Sequence, residues 1–461
     1  MSSILPAGWR RPGSSLADSL AEALREAVLD GRIRVGDRLP AERRMAAELG
    51  VSRGTVTAAL ARLRAAGWLA TRHGSASTMR LPPDVGERFA PLSADRPGAP
   101  LDLRRAVPAA PGEVYADAVR RALDRSARIF LEGGEPGQGL PELREAIARR
   151  YTGQGLATLP DQILVTSGAR AALALLAGSL GRGRVAAVEN PAYADTLAVL
   201  RRSGVRIAPL RVTTEGWDPG QLAAAFREAA GGLALLVPDF QNPTGALMDA
   251  GTRREVAELA ARHRVTVIAD ETMRDMDLRD DPRPEPRIRR AVCVGSLSKT
   301  VWGGLRIGWI RGSAGLVREL LLDPLCGPCT PAPMEQLVAC ELLPRIEPVL
   351  ARRRAELREQ RDHLVRLLDG DDAWTFTVPQ GGLALWLRLT GTSGDALVRR
   401  AASLGLGLLA GSAFSVDGTP VDRVRLPYTV PAGTLDRAVA LLREAMDDRH
   451  GGGQGASGRD R

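Results

Sequence analysis

The stretch Ala291-Val-Cys-Val-Gly-Ser296-Leu-Ser-Lys299 decides how most of this chain is read. A short apolar run ends in two serines and an amine. Lys299 is the sole lysine among 63 basic residues; every other one is arginine. A GC-rich genome produces such a bias without any functional cause, and that makes the exception informative. Where arginine could serve, arginine was used; position 299 required an amine.

Working outward, four more apolar runs end in polar or glycine-rich turns. Ile163-Leu-Val-Thr leads to Ser167-Gly168-Ala169-Arg170, and Val185-Ala-Ala-Val leads to Glu189-Asn-Pro-Ala-Tyr193. Leu233-Ala-Leu-Leu-Val leads to Asp239-Phe-Gln-Asn242-Pro-Thr-Gly245, and Val265-Thr-Val-Ile-Ala leads to Asp270-Glu271. Apolar strands alternating with helices predict a buried, mostly parallel sheet. Ligands in such sheets bind beyond the carboxyl ends of the strands, where all these polar residues fall.

The set describes a ligand. An isolated amine forms a Schiff base with an aldehyde. The Ser-Gly-Ala turn, with Gly168 and Ala169 opening a helix, offers N–H groups to a phosphate. Ser296, Ser298 and Arg306 add donors around it. Asp270 is suited to keep a pyridine nitrogen protonated, Asn242 to meet a ring hydroxyl, and Tyr193 to cover the ring face. Aldehyde, phosphate, pyridine and phenolic oxygen together specify pyridoxal 5'-phosphate. Read singly, Asp270 is equally a helix cap, Asn242-Pro243 a plain turn and Tyr193 a core residue. Gly295-Ser-Leu-Ser-Lys-Thr300 is not a nucleotide-binding loop, because Ser298 stands where glycine must precede the lysine.

Composition separates this region from the rest. The 461 residues, 44% hydrophobic and 25% charged, fit a soluble chain of two or three domains. No run nears the ~18 apolar residues of a membrane span, no signal peptide is read at Met1, and four cysteines form no disulfide framework. The expected compartment is the reducing cytoplasm. Neither histidines nor cysteines show zinc spacing, so no metal is expected. Net charge is +9, and residues 1–80 carry thirteen arginines against seven acids. That excess calls for an anionic partner.

Residues 14–79 are patterned as helices. Leu16, Leu20, Leu24 and Val28 share one face, and Asp30-Gly31 ends that helix. A second helix spans about Ala41 to Leu49 and stops at Gly50. Ser52 caps a third, with Val56, Leu60 and Leu63 inward. Helix, tight turn and helix make a helix-turn-helix, and Thr71 to Met79 reads as a two-stranded wing. Ser52, Arg53, Gly54 and Thr55 begin the recognition helix, whose first residues face base edges in the major groove. Arg43 and the wing tip His73-Gly74 are placed for phosphate or minor groove. The competing reading is a helical bundle with a solvated basic face. Residues 80–100 form a Pro/Gly-rich linker, 101–446 the strand–helix domain and 447–461 a disordered tail.

Two resemblances extend this. The run Gly36-Asp-Arg-Leu-Pro-Ala-Glu-Arg43 with Ala46-Ala-Glu-Leu-Gly-Val-Ser-Arg-Gly-Thr-Val56 resembles the winged helix of GntR-type bacterial regulators. It implies contacts to a double-stranded DNA operator from Arg43, Ser52, Arg53, Thr55, Thr57, His73 and Gly74. Gly139-Leu-Pro-Glu-Leu-Arg144, Thr166-Ser-Gly168, Asn242-Pro-Thr-Gly245, Asp270, Ser296-Leu-Ser-Lys299 and Arg306-Ile-Gly resemble fold-type I aminotransferases. The fold class implied is a winged helix-turn-helix plus an α/β aminotransferase-like domain with a smaller C-terminal α+β part. Together the two look like the MocR subfamily of transcriptional regulators.

The resemblance implies that Lys299 forms the internal aldimine, with Asp270 on the ring nitrogen and Asn242 on the ring oxygen. Gly168, Ala169, Ser296 and Arg306 would hold the phosphate, and Arg425 an effector's α-carboxylate. It also implies a homodimer. A tyrosine usual in that family just after the aspartate is replaced by Thr272 and Met273. The aromatic usual near Gly139 is absent: Gly133-Gly134 stand there, with Phe130 the nearest candidate. Both departures weigh against efficient turnover. The expected function is a regulator that senses an amine or amino acid. The alternatives are a working aminotransferase carrying a DNA-binding domain, and a large domain that serves only for dimerisation. Cys326-Gly-Pro-Cys329 copies a thioredoxin-type motif outside its usual strand context.

Overall fold

The computed structural model describes residues 5, 9–10, 13–29, 32–33, 37–70, 77–80, 82, 101–131, 137–281, 284–419 and 421–447. The chain divides into two compact units, residues 1–93 and 94–461. Asp30-Gly31, the wing tip His73-Gly74, Gly133-Gly134, nearly all of the expected linker and all of the expected tail after Asp447 lie outside the described residues.

In the first unit, α1 (Leu16–Leu29), α2 (Glu42–Leu49) and α3 (Arg53–Ala65) are followed by β1 (Leu69–Ala70), which pairs antiparallel with β2 (Thr78–Met79). Leu20, Leu24 and Val28 of α1 pack with Met45, Leu49, Val56, Leu60 and Leu63 into one core closed by Trp68 and Met79. Leu16 departs from the expected face and is 45% exposed, because it opens the helix beyond that core. Gly50 ends α2 at φ 61, a left-handed conformation that glycine adopts without a Cβ penalty. The first wing strand is Leu69–Ala70, just before the stretch expected for it.

The second unit is built on an eight-stranded sheet. Its strands are β4 (Ile163–Thr166), β5 (Val185–Asn190), β6 (Arg206–Thr213), β7 (Gly216–Trp217), β8 (Leu233–Leu236), β9 (Thr266–Asp270), β10 (Val292–Ser296) and β11 (Gly308–Arg311). They lie in the order β4-β11-β10-β9-β8-β5-β6-β7. The five apolar runs form β4, β5, β8, β9 and β10. The ladder from β10 through β9, β8 and β5 to β6 is parallel. Helix Ala169–Leu180 and its neighbours cover one face, where Val188, Leu235, Ile268 and Val294 are buried. Residues of the helices Pro219–Glu228 and Ala250–His263 cover the other, over Ala187, Leu236 and Val267. Burial on both faces explains why these strands read as unbroken apolar runs.

The antiparallel β11 lies between β10 and β4. It brings two backbones together: a Cβ on Gly308 would lie 2.6 Å from the Gly168 carbonyl carbon and 2.7 Å from the Ala169 nitrogen. A smaller sheet joins β12 (Trp374–Thr375), β13 (Ala384–Leu389), β15 (Leu409–Ala410) and β16 (Arg423–Pro427), all antiparallel. The segment after β3 (Leu101–Asp102) is anchored by parallel pairing with β14 (Leu406–Gly407).

Gly308→Ala pushes a methyl group into that backbone contact. The expected cost is about 1–3 kcal/mol of stability, as for other overpacked sites. It should appear in denaturant unfolding together with weakened binding of a phosphate-bearing ligand at the Gly168 turn. Wild-type stability and affinity would show that the contact is unimportant.

Candidate functional site

The polar ends of β4, β5, β8, β9 and β10 meet around one cleft of about 1230 Å³, including its open mouth. Gly168, Ala169, Tyr193, Asn242, Asp270, Ser298, Lys299, Arg306 and Arg425 all line it. Of the large-domain residues expected from sequence, only Ser296 does not. It is buried at the end of β10, where its hydroxyl donates toward the Ile307 carbonyl and the Ser298 hydroxyl, each at 3.0 Å, and accepts from the Ser298 N–H at 3.1 Å. Ser296 therefore sets the turn, and Ser298 presents its hydroxyl to the cleft.

Lys299 is half-buried in the cleft wall. Its Nζ donates to the Ala106 carbonyl at 2.7 Å. Desolvation, then the nearby Arg425 charge, lowers its pKa to about 8, although Asp270 acts in the opposite sense. Roughly a tenth of the amine is thus neutral and nucleophilic at pH 7, far more than for an ordinary lysine of pKa ~10.4. Asp270 accepts the Thr272 N–H at 2.9 Å, and burial raises its carboxyl above the usual range. A carboxylate in such a place is stabilised by a cationic N–H partner, the role a protonated ring nitrogen fills.

The anion cradle is mostly main chain. Gly168 caps helix Ala169–Leu180 at φ 100, which leaves the first N–H groups of the helix facing the cleft. Arg306 is itself left-handed at φ 56, an unusual conformation for a non-glycine residue. A Cβ on Gly168 would sit 3.8 Å from the Arg306 guanidinium carbon. Backbone donors, a hydroxyl and a guanidinium thus share one corner, and they fit a phosphate.

Arg425 projects from β16 and is 1% exposed. Its Nη1 donates to Asn242 Oδ1 at 3.3 Å and its Nη2 to the Arg104 carbonyl at 2.5 Å, while Nε has no hydrogen-bond partner. Its guanidinium lies over the Phe414 ring, 5.0 Å from the centroid. Burial lowers its pKa to about 10. Such a buried, incompletely satisfied fork is suited to a carboxylate. Tyr193 donates to Asp195 at 3.0 Å, and Arg170 pairs with the same carboxylate oxygen.

Several contributors escaped the sequence reading. The carbonyls of Arg104 and Ala106 are main-chain atoms, which carry no residue signal. Glu189 lines the cleft and is raised by burial to about 8, while Trp217, Val237 and Gln241 donate to it. Its place directly before Asn190-Pro191, at a strand's carboxyl end, was the available signal. Thr272 and Met273, expected from the resemblance to stand in place of a tyrosine, both line the cleft. Phe130 falls in a short 3-10 helix, Ser126–Leu131.

In the first unit, Arg43 and Arg53 are exposed. Ser52 accepts the Thr55 N–H at 3.0 Å, and their hydroxyls are 2.8 Å apart, so both serve as the cap of α3. Thr57 donates to Glu42 at 2.7 Å and to the Arg53 carbonyl at 3.0 Å, which ties α3 to α2. Arg53 lies 3.8 Å from the same Glu42 carboxylate. Among the described residues no cluster of three or more His, Cys, Asp or Glu could hold a metal ion, and no helix is long and apolar enough to cross a membrane.

Comparisons with known proteins agree with both halves. Residues 110–442 match the family aminotransferase class I and II, and residues 16–78 match the bacterial regulatory proteins of the gntR family. The HTH-type transcriptional regulator YdcR of Escherichia coli is 30% identical over 416 residues, covering 80% of this chain and 85% of its own. The HTH-type transcriptional regulator TauR of Rhodobacter capsulatus is 29% identical, covering 82% and 84%. The α-aminoadipate aminotransferase LysN of Thermus thermophilus, solved with N-(5'-phosphopyridoxyl)-L-leucine, superposes with a TM-score of 0.69 at 24% identity, over 76% of this chain and 92% of that one. With a gntR-type head in front of an aminotransferase class I and II domain, this chain belongs to the MocR-like subfamily of GntR-type transcriptional regulators.

Proposed function

We propose that this chain is a DNA-binding transcriptional regulator whose large unit binds pyridoxal phosphate at Lys299 and senses an amine or amino acid there. The observation that carries this reading is the single cleft that gathers a desolvated amine, a buried carboxylate, an anion cradle and a buried arginine fork. When bound, the cofactor supplies an aldehyde that an amine can capture and a ring that withdraws electrons. Lys299 would supply the amine, Asp270 would favour a protonated ring nitrogen, Gly168, Ala169, Ser298 and Arg306 would hold the phosphate, and Asn242 and Tyr193 would flank the ring.

Arg425 gives the effector its means of action. Its Nη2 is bonded to the Arg104 carbonyl, and Lys299 to the Ala106 carbonyl two residues on. A carboxylate on the effector competes with that first carbonyl for the guanidinium. The strap that carries both carbonyls follows residues 80–100 directly in the chain. Effector binding thus acts on the segment through which the two units are joined, and differential contacts of this kind are what allostery requires. The DNA partner is read by Arg53 at the start of α3, with Arg43 on phosphate. Ser52, Thr55 and Thr57 shape the helix start, and His73 and Gly74, outside the described residues, are further candidate DNA contacts. The large unit acts as a homodimer, matching an operator of two half-sites in the cytoplasm.

A working aminotransferase is the second reading, favoured by the joint presence of Lys299, Asp270 and Arg425 in one cleft. Thr272 and Met273 in place of the tyrosine weigh against it. Turnover of amino-acid and keto-acid pairs at ordinary enzyme rates would decide for the enzyme.

Two outcomes are expected. With operator fragments selected from random DNA, Arg53→Ala should weaken binding by about 1–3 kcal/mol and relax specificity at one position, leaving the cofactor spectrum intact. Undiminished affinity removes α3 from the recognition role. The rate of pyridoxal phosphate capture, followed by absorbance, should rise with pH through a midpoint near 8 and level off above it. A midpoint near an ordinary lysine's ~10.4 contradicts the desolvated-amine account.

A further inference from the structure

The Cys326-Gly-Pro-Cys329 motif plays no part in the site chemistry above, yet it lies along the helix that forms the phosphate cradle. Residues 323–329 run beside helix Ala169–Leu180 from its last turn to its first. Asp323 accepts the Ser179 hydroxyl near the C-terminal end. Leu325 fits the notch at Gly178, where a Cβ would lie 2.6 Å from its Cδ1. At the N-terminal end the Cys329 thiol donates to the Ala171 carbonyl at 3.6 Å. The Cys329 carbonyl accepts the Ser167 N–H at 2.6 Å, one residue before Gly168. The motif thus holds the start of the cradle through a backbone bond.

Both cysteines are free thiols; Cys326 is buried and Cys329 half-buried. They open and close one helical turn, Cys326–Cys329. Residues three apart on a helix have Cβ atoms about 5–6 Å apart. A disulfide requires about 3.5–4.5 Å. Joining them therefore tightens the turn, draws the Cys329 sulfur off Ala171, and pulls its carbonyl from Ser167. Burial raises both thiols, so oxidation proceeds through the small thiolate fraction of the half-buried Cys329.

We propose that Cys326 and Cys329 form a reversible disulfide that loosens the Ser167–Ala169 cradle and lowers the affinity for pyridoxal phosphate. The oxidant is a peroxide. Cys329, the more accessible thiol, takes one peroxide oxygen to become a sulfenic acid, releasing one water. The Cys326 sulfur then attacks that sulfur, the S–S bond forms, and the hydroxyl leaves with the Cys326 proton as a second water. Two thiols lose two electrons in total and one O–O bond is reduced. A dithiol reductant reverses the step by exchange. The inference rests on the assignment of the cradle to the cofactor's phosphate.

The test uses the full chain with Cys293 and Cys340, both buried, replaced by serine. Hydrogen peroxide treatment should remove the mass of two hydrogens and give a peptide linked between Cys326 and Cys329. Titration with pyridoxal phosphate, read by absorbance, should then show at least about tenfold weaker binding, equivalent to ~1.4 kcal/mol, restored by dithiothreitol. Cys329→Ser in the same background should bind the cofactor equally before and after peroxide. Failure to form the link, or a link that leaves affinity unchanged, overturns the proposal. Failure of the reduced protein to bind pyridoxal phosphate at all would instead remove the cofactor assignment, with the link still readable by mass.

Discussion

Keeping one half-buried primary amine poised at the rim of a parallel sheet is the constraint on which the large unit depends. Lys299 lies where β10 ends, close enough to feel both the Arg425 and Asp270 charges, and its ammonium form is disfavoured chiefly by desolvation. Desolvation alone would favour an arginine-free pocket. Instead the cleft contains Arg306 and Arg425, two cations that we propose face the cofactor's phosphate and an effector's carboxylate. Pairing each charge with a ligand group offsets the cost of gathering them.

The precision of the cradle comes from backbone against backbone. Gly308 has no Cβ and so lets β11 press against Gly168 and Ala169. Gly168 turns through a conformation that leaves the helix N–H groups pointing outward. Arg306 is held in a left-handed conformation between them, a local cost that its neighbours must overcome. Ser296 spends its hydroxyl on the Ile307 carbonyl and Ser298, which fixes the loop that carries Lys299. On the far side, the strap through Arg104 and Ala106 puts carbonyls two residues apart on Arg425 and Lys299.

Much of this was legible in the sequence, because strands buried on both faces appear as unbroken apolar runs and because polar residues at their ends have few structural reasons to be there. Lys299, Asp270, Asn242 and the Ser167-Gly168-Ala169 turn were found by that logic. What stayed hidden followed from atoms that residue identity does not report. The carbonyls of Arg104 and Ala106 belong to the main chain. The antiparallel β11, Gly308-Trp-Ile-Arg311, is short and begins with a glycine, a weak strand signal whose purpose is the close approach it allows. Ser296 and Ser298 looked equivalent, and only the turn decides which one faces the cleft. In the head, Thr57 was expected from the resemblance to contact DNA, and residue identity did not report that its hydroxyl bonds Glu42 across the helix pair. Leu16 matched the apolar spacing, yet the core ends one turn later.

The most direct measurement uses the sole lysine. Purified full-length protein loaded with pyridoxal phosphate is reduced with borohydride, and the modified residue is mapped by mass spectrometry beside Lys299→Arg. The account predicts one pyridoxyl phosphate group per chain, on Lys299, absent from the variant. An unmodified Lys299, or equal labelling of the variant at its N-terminus, would contradict it.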